Sequence, residues 1–288
     1  MKKLLKTILA VAGLAACLDA ANKAVFALAQ RCDQAKARDE RMYKWKFGKI
    51  RYVVSGAESA PPLLLVHGIG MGAGLHEWDA AAAALSRHYR VYRIDLLGFG
   101  RSEKPAITVS SYLYALLIND FTKHVIGEKT FVAANNLSCS FAAVAAQLAP
   151  SQYAKFLFVA PHAVRQDAPS CKQAWLKRLF ECPILGTSIY LAMTSRCLLR
   201  AHLERFGVGS SAMARRQADA FYDAAHHGGA NARYPLASFL TNYLYVDTDR
   251  ALRAVPHPIQ ILDDGEGLYP HIDNPRALYH ACRKFFDA

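Results

Sequence analysis

Hydrophobic and polar positions change their period along the chain, and each change marks an element. Lys2, Lys3 and Lys6 precede an uncharged run from Thr7 to Leu18, and apolar character continues through Ala24-Val25-Phe26-Ala27-Leu28-Ala29. This pattern predicts one amphipathic helix over about residues 4–30. Residues 43–54, Tyr-Lys-Trp-Lys-Phe-Gly-Lys-Ile-Arg-Tyr-Val-Val, alternate apolar and basic on either side of Gly48. Period two across a glycine predicts two strands joined by a turn, with Tyr43, Trp45 and Phe47 on one core-facing side. Leu63-Leu64-Leu65-Val66 is a short continuous apolar run, as in a strand buried on both faces. A helix over 78–87, a strand over 90–95, a helix over 112–126 and a strand over 129–134 follow. A small-residue helix over 140–149 and a strand over 156–160 come next. Strands alternating with helices predict a parallel sheet with right-handed crossovers. From 162 to about 245 only helical patterns occur, with turns at Pro183, Gly186, Gly207-Val208-Gly209 and Gly228-Gly229. That segment reads as a helical lid inserted between core strands. Pro258–Leu262 reads as the last strand and Pro275–Phe286 as a closing helix.

Ligands of such sheets sit at the carboxyl ends of the strands. Three polar turns fall there. His67-Gly68-Ile69-Gly70-Met71-Gly72-Ala73-Gly74 can turn backbone N–H groups inward towards an anion. It is not a phosphate-binding P-loop, because no Gly-Lys-Ser/Thr closes it. Asp95-Leu-Leu-Gly-Phe-Gly-Arg-Ser102 is the second turn. The third, inside Phe131–Ser140, has the strand–sharp turn–helix layout that presents a nucleophile. Its central residue in Ala134-Asn135-Asn136-Leu137-Ser138 is Asn136, and an amide cannot be activated to attack a carbonyl as a hydroxyl or thiol can.

Composition narrows the classes. With 288 residues, 53% hydrophobic and 20% charged, the chain is globular, without internal repeats or low-complexity tracts. The formal net charge is +12, and residues 161–216 supply half of it, with nine Lys/Arg against three acids. Such an excess calls for an anionic partner. No nucleic-acid-binding motif accompanies it, so an anionic membrane surface fits better; a merely solvated basic face is the bland alternative. None of the seven cysteines, Cys17, Cys32, Cys139, Cys171, Cys182, Cys197 and Cys282, has metal-ligand or disulfide-framework spacing, and no metal or cofactor is expected. The uncharged run of twelve residues from Thr7 suits the core of a signal peptide better than a full membrane span. Leu14-Ala15-Ala16-Cys17 is similar to a bacterial lipobox, which would lipidate Cys17. Lipoprotein, uncleaved anchor, secreted protein and a helix packed on the protein all stay open. The expectation is a membrane-associated or cell-envelope protein.

The chain resembles the α/β-hydrolase superfamily, in the helical-cap group of epoxide-hydrolase-like and esterase-like enzymes. The matching residues run in order from 43 to 288: Trp45…Tyr52, Leu-Leu-Leu-Val-His67-Gly68, His76-Glu77-Trp78, Asp95…Ser102-Glu-Lys-Pro105 and the elbow. Pro183-Ile-Leu-Gly186, Ser238-Phe-Leu…Tyr-Leu244 and Gly267-Leu-Tyr-Pro-His271-Ile-Asp-Asn-Pro275 complete the set. The Asp95 turn, 41 residues before Asn136, is the most specific piece. The resemblance implies an α/β-hydrolase fold, a mostly parallel twisted sheet flanked by helices with an inserted helical cap. It divides the chain into an anchor helix (1–30), core (31–160), cap (161–245) and a shortened end of the core (246–288).

Carried onto this sequence, the resemblance makes the backbone N–H groups of Ile69 and Leu137 the oxyanion donors. The nucleophile position is Asn136, and the catalytic histidine position is Leu268; His271 matches a second, structural histidine. Only nine steps separate Pro258 from Gly267, too few for the helix and strand that normally carry the acid. Asp263, Asp264 and Glu266 lie near that join. The implied parent activity is hydrolysis of an ester-like bond in a small apolar substrate held in a capped pocket. The losses imply weak or absent turnover. Two rivals stand beside that reading. An active hydrolase would use Ser138, Cys139 or Ser140 as a displaced nucleophile, with His162 or His271 as base; Cys139, near a helix N-terminus, is expected to have a lowered pKa. A scaffold would bind membrane surfaces through its N-terminal helix and basic cap.

Overall fold

The computed structural model describes residues 2–32, 40–161, 173–206, 208, 211–263 and 267–288. His162, Arg165, Asp167, Cys171, Lys172, Gly207, Gly209, Asp264 and Glu266 lie outside the described residues, and so does the side chain of Cys32. Seven strands form one sheet: β1 (Glu40–Trp45), β2 (Gly48–Ser55), β3 (Pro62–Val66), β4 (Arg90–Ile94), β5 (Thr130–Asn135), β6 (Tyr153–Val159) and β7 (Ile259–Leu262). Their order is β1-β2-β4-β3-β5-β6-β7. β1 and β2 form an antiparallel hairpin, β2 runs antiparallel to β4, and the remaining pairs are parallel. This is the expected mostly parallel sheet.

The apolar run of β3 is buried at every position because helices cover both faces. Leu64, Val66, Tyr92, Val132, Phe156 and Phe158 point to one side, under α3 (Ser111–Phe121), α4 (Ser138–Leu148) and α10 (Thr248–Arg253). Leu63, Leu65, Val91, Ala133, Leu157 and Val159 point to the other, against Trp78, α2 (Asp79–Leu85) and α12 (Pro275–Phe286). Alternate residues of single strands thus build two cores. Two expectations need correction. The hairpin turns at Lys46-Phe47 rather than at Gly48, since Trp45 pairs with Gly48. Phe47 therefore stands 44% exposed in the turn and leaves the core to Trp45.

Between β6 and β7 lie α5 (Ala174–Glu181), α6 (Leu185–Met193), α7 (Arg196–Arg205), α8 (Ser211–His226) and α9 (Arg233–Leu240). After β7 the chain passes to α11 (Pro270–Asp273) and α12, with no further strand among the described residues. The N-terminal helix α1 (Lys2–Cys32) is continuous. Its first half stands out from the protein, with Leu4, Leu5, Ile8, Leu9, Val11 and Leu14 exposed. Its second half docks on the cap. Asn22 Nδ2 donates to the Ile184 carbonyl at 3.2 Å and to Ser188 Oγ at 3.0 Å. The Phe26 ring lies 5.6 Å from that of His226.

The order of strands reverses about β3, and His67, Asp95 and Asn136 leave the carboxyl ends of β3, β4 and β5 at that crevice. Asp95 organises it. Its carboxylate accepts from Leu75 N at 2.7 Å, Arg101 N at 2.9 Å and the Arg51 guanidinium at 3.1 Å. Burial pushes its acidity towards the neutral form, but Arg51 and the two backbone donors hold its pKa below the ordinary value. Gly100 has φ +51 and faces this carboxylate so closely that a Cβ would stand 2.1 Å from it. Replacing Asp95 by Ala strands Arg51 and two amide donors in a nearly dry site. The expected loss is about 3–5 kcal/mol in urea unfolding at neutral pH. A loss below about 1 kcal/mol would mean that the turn stands without its carboxylate.

Candidate active site

Asn136 holds the apex of the elbow with φ 42, the left-handed region that a tight strand-to-helix turn requires. Its N–H donates to the Val159 carbonyl at 2.9 Å, and its residue surface is 1% exposed. The side chain folds back into the crevice. Its amide oxygen Oδ1 accepts from Ile69 N at 3.0 Å and also from Leu137 N. The two backbone donors that the sequence comparison singled out thus converge on one point, and the carboxamide oxygen of Asn136 occupies that point. Gly68 makes room for it, since a Cβ there would stand 2.3 Å from Asn136 Nδ2.

The neighbouring loop is fixed by two polar side chains. His67 Nε2 accepts from Leu96 N at 2.9 Å, so the proton sits on Nδ1, which donates to the Gly68 carbonyl at 2.6 Å. Glu77 Oε2 accepts from Gly68 N at 3.0 Å and from Asn135 Nδ2 at 3.2 Å. His271 is fully buried beside it, with Nε2 3.7 Å from Glu77 Oε2 and the ring 4.3 Å from that of Trp78. Burial alone would raise the Glu77 pKa. The His271 side chain and the Gly68 N–H outweigh it and bring the group to about 2. Neither ring nitrogen of His271 has a hydrogen-bond partner among the described residues.

The other sequence candidates fall elsewhere. Leu268 belongs to an apolar cluster of the cap with Leu199, Leu203 and Phe221, and its N–H donates to the Phe206 carbonyl. Tyr269 follows it into that cluster, with its hydroxyl 3.3 Å from His202 Nε2. Ser138 is wholly buried and its hydroxyl donates to the His67 carbonyl at 2.7 Å, not to a base. Ser140 Oγ pairs with Thr248 Oγ1 at 2.9 Å, behind the elbow helix. Cys139 corrects an expectation. Proximity to a helix N-terminus would lower its pKa, but complete burial pushes the thiol well above its ordinary value, and Sγ faces the Ala134 carbonyl at 3.2 Å. It is a core residue, not a thiolate. Asp263 is exposed at the end of β7.

Sequence reasoning missed Glu77 and Asn135. The available signal was an acidic residue beside Trp78 and an asparagine closing a buried strand, both costly unless paired. Lys104 was missed too. It is buried beside the Asp95 turn, donates to the carbonyl of Gly100, and burial lowers its pKa to about 8. Among the described residues no cluster of His, Cys, Asp and Glu has the makings of a metal site.

Residues 61–181 match the family model described as the alpha/beta hydrolase fold. A 2-hydroxy-6-oxo-6-(2'-aminophenyl)hexa-2,4-dienoic acid hydrolase of Metapseudomonas resinovorans is 32% identical over 99 residues, 32% of this chain and 33% of that protein. The chain thus spans about a third of the length of the curated relatives it matches. Among solved structures, a serine hydrolase involved in carbazole degradation superposes with a TM-score of 0.64 at 19% identity, over 86% of this chain and 98% of that one. A membrane phospholipase A, described as a bacterial virulence factor, superposes with a TM-score of 0.61 at 21% identity, over 100% of this chain and 98% of that one.

The low Glu77 pKa has a consequence for acid stability. A carboxyl held at about 2 when folded, against an ordinary 4.5, stabilises the fold above pH 4.5 and loses that contribution as pH falls towards 2. The contribution is on the order of 3 kcal/mol. Urea midpoints at pH 7, 4.5 and 3 should fall more steeply for the wild type than for Glu77→Gln, whose side chain does not titrate. Parallel declines would show that Glu77 is not the linked group.

Proposed function

From the match of residues 61–181 to the alpha/beta hydrolase fold model, we propose that this chain is a member of the α/β-hydrolase superfamily that has given up serine-hydrolase turnover and acts by binding at a membrane surface. The similar proteins are hydrolases, so hydrolysis of an ester-like bond is the ancestral activity. In this chain the cavity under the cap beside Gly70, Gly98 and Tyr190 is only about 10 Å³, far below the size of a small-molecule site, so the expected apolar ligand has no room there. One observation carries the reading: the Asn136 amide oxygen accepts both the Ile69 and the Leu137 N–H. Oxyanion stabilisation requires those donors to be aimed at a developing charge. Here they are spent on an internal acceptor. The amide is no nucleophile, and the residue at the histidine position is an aliphatic side chain packed in the cap.

The displaced-nucleophile reading has less support. A nucleophile must lie within hydrogen-bond reach of its base. Ser138 gives its proton to a carbonyl oxygen, and Cys139 is a buried neutral thiol. Purified protein should therefore escape labelling by a fluorophosphonate and hydrolyse short aryl esters no faster than Asn136→Ala. A product burst abolished by Ser138→Ala would sink this reading. The double variant Asn136→Ser, Leu268→His should also stay far below enzymatic rates, because position 268 is set by the cap cluster and the nine steps from Pro258 to Gly267 leave no room for the helix and strand that normally carry the orienting acid. Recovery of burst kinetics would show that residue 268 still reaches the elbow.

Membrane placement is the second part of the proposal. Lys2–Ala29 is long and apolar enough to cross a bilayer by length and composition, with mean hydropathy 1.8. Its lysines lie at the start, as expected for the cytoplasmic flank of an anchor. Trp175, Leu185 and Leu198 are exposed on the cap among Arg178, Arg196 and Arg205. Exposed apolar and basic side chains together suit an anionic interface. The unbroken α1, docked through Asn22 and Phe26, favours an uncleaved anchor over lipidation at Cys17. The full-length protein should sediment with membranes, and removal of residues 1–18 should release it. A full-length protein that stays in the supernatant at low salt would end the anchor idea. Mass spectrometry should find Cys17 unmodified.

A further inference from the structure

A second cavity lies away from the elbow, where α1 meets the cap. Its volume is about 410 Å³, within the range of small-molecule sites. One wall belongs to α1: Leu18, Ala21, Asn22 and Val25. The opposite wall belongs to α6, with Ser188, Leu191 and Ala192. Ser195, Arg196, Tyr222 and His226 form the polar side. This polar side is a built cluster. The Arg196 guanidinium lies 3.7 Å from the Tyr222 ring centre, and its Nε donates to Asp219 at 2.9 Å. Tyr222 in turn stacks on His226 at 3.9 Å, and His226 Nδ1 donates to the Tyr222 carbonyl at 2.8 Å. An arginine held in place by an aromatic face and a carboxylate loses little further freedom when it binds an anion.

We propose that this groove seats one acyl chain of an anionic glycerophospholipid, with the lipid phosphate at Arg196. The proposal rests on the reading of α1 as a membrane anchor. Three observations select this occupant. The α1 wall of the groove continues along the same helix face into the exposed Leu14, Val11 and Leu4. A chain that follows this helix out of the bilayer therefore reaches Leu18 and Val25 without crossing water. The lining pairs an apolar strip with a cation, as a lipid pairs its tail with its phosphate. Residues 161–216, which supply α6 and Arg196 to the groove, carry nine Lys/Arg against three acids, and an anionic headgroup is the partner that such an excess attracts.

The test uses full-length protein in vesicles containing phosphatidylglycerol with a photoreactive diazirine on one acyl chain. Illumination followed by peptide mapping should place adducts on 18–25 of α1 and on 188–192 of α6. Ala192→Trp, which fills the groove, should lower the adduct yield at least about fivefold without changing the fraction of protein that sediments. Arg196→Gln should reduce the preference for phosphatidylglycerol over phosphatidylcholine by about fivefold, the equivalent of one basic contact at the surface. Sedimentation with adducts confined to 2–14 would overturn the groove proposal while leaving the anchor intact. A groove that cross-links to a second copy of the protein instead of lipid would overturn it too. Failure to sediment at all would strike the anchor reading itself, on which the groove proposal depends.

Discussion

The two hydrogen bonds on the Asn136 amide oxygen tie together the turns that leave β3 and β5. In a left-handed elbow the residue after the strand must point its side chain into the crevice, because the helix that follows leaves no other direction. A short side chain with an oxygen at its tip then meets the N–H groups of Ile69 and Leu137. Burial makes this pairing strong, since an unsatisfied amide in a dry site costs about 1–3 kcal/mol. The arrangement that elsewhere would wait for a reacting carbonyl is complete in the resting protein. Stability and turnover ask opposite things of the same donors.

Around that point the polar groups form a chain of dependence. The Asp95 carboxylate fixes the turn after β4 through Leu75, Arg101 and Arg51. That turn presents Leu96 N to His67, whose ring holds the Gly68 carbonyl. Glu77 takes the N–H of the same Gly68 and the side chain of Asn135. Ile69, next in line, can then only direct its N–H at residue 136. Asp95, His67, Glu77 and Asn135 are all nine-tenths buried or more, and only Arg51 and Arg101 keep an edge towards solvent. Such a network is specified by pairing rather than by apolar packing, and a single loss propagates along it.

How much of this could be read from the residues follows from how local each signal is. The sheet was legible because β3 is an unbroken apolar run buried on both faces and β4, β5 and β6 are short apolar runs bounded by turn residues, with Arg90, Arg93 and Lys155 confined to their partly exposed positions. The hairpin was legible in kind but not in register. Either Lys46-Phe47 or Gly48 can close it locally, and the long-range pairing of Tyr52–Ser55 with Val91–Ile94 settles which. The resemblance singled out the N–H groups of Ile69 and Leu137, and both do meet at one acceptor. That Asn136 would fill the space between them was not legible, since a rotamer depends on neighbours distant in sequence, here Gly68 and Ile69. Glu77 and His271 meet across nearly the whole length of the chain, and no local pattern predicts that. The Cys139 thiol was misread for the same reason: the helix N-terminus is local, but the burial that overrides it comes from β5 and β6.

The continuity of α1 has a geometric consequence. A helix advances 1.5 Å per residue, so Lys2 to Ala21 spans roughly 30 Å, about the thickness of a bilayer's hydrocarbon layer, with Lys2, Lys3 and Lys6 at its outer end, Asp19 at its inner end and an uncharged stretch of roughly 18 Å between. Asn22, the next residue, is already hydrogen-bonded to the cap. With the apolar half inside a membrane, no residues are left over to act as a tether. The globular part would then ride directly on the headgroups like a flag fixed to its pole, unable to tumble or to turn its cap away. What reaches the cap is then decided by the composition of the leaflet beneath it more than by the surrounding solution.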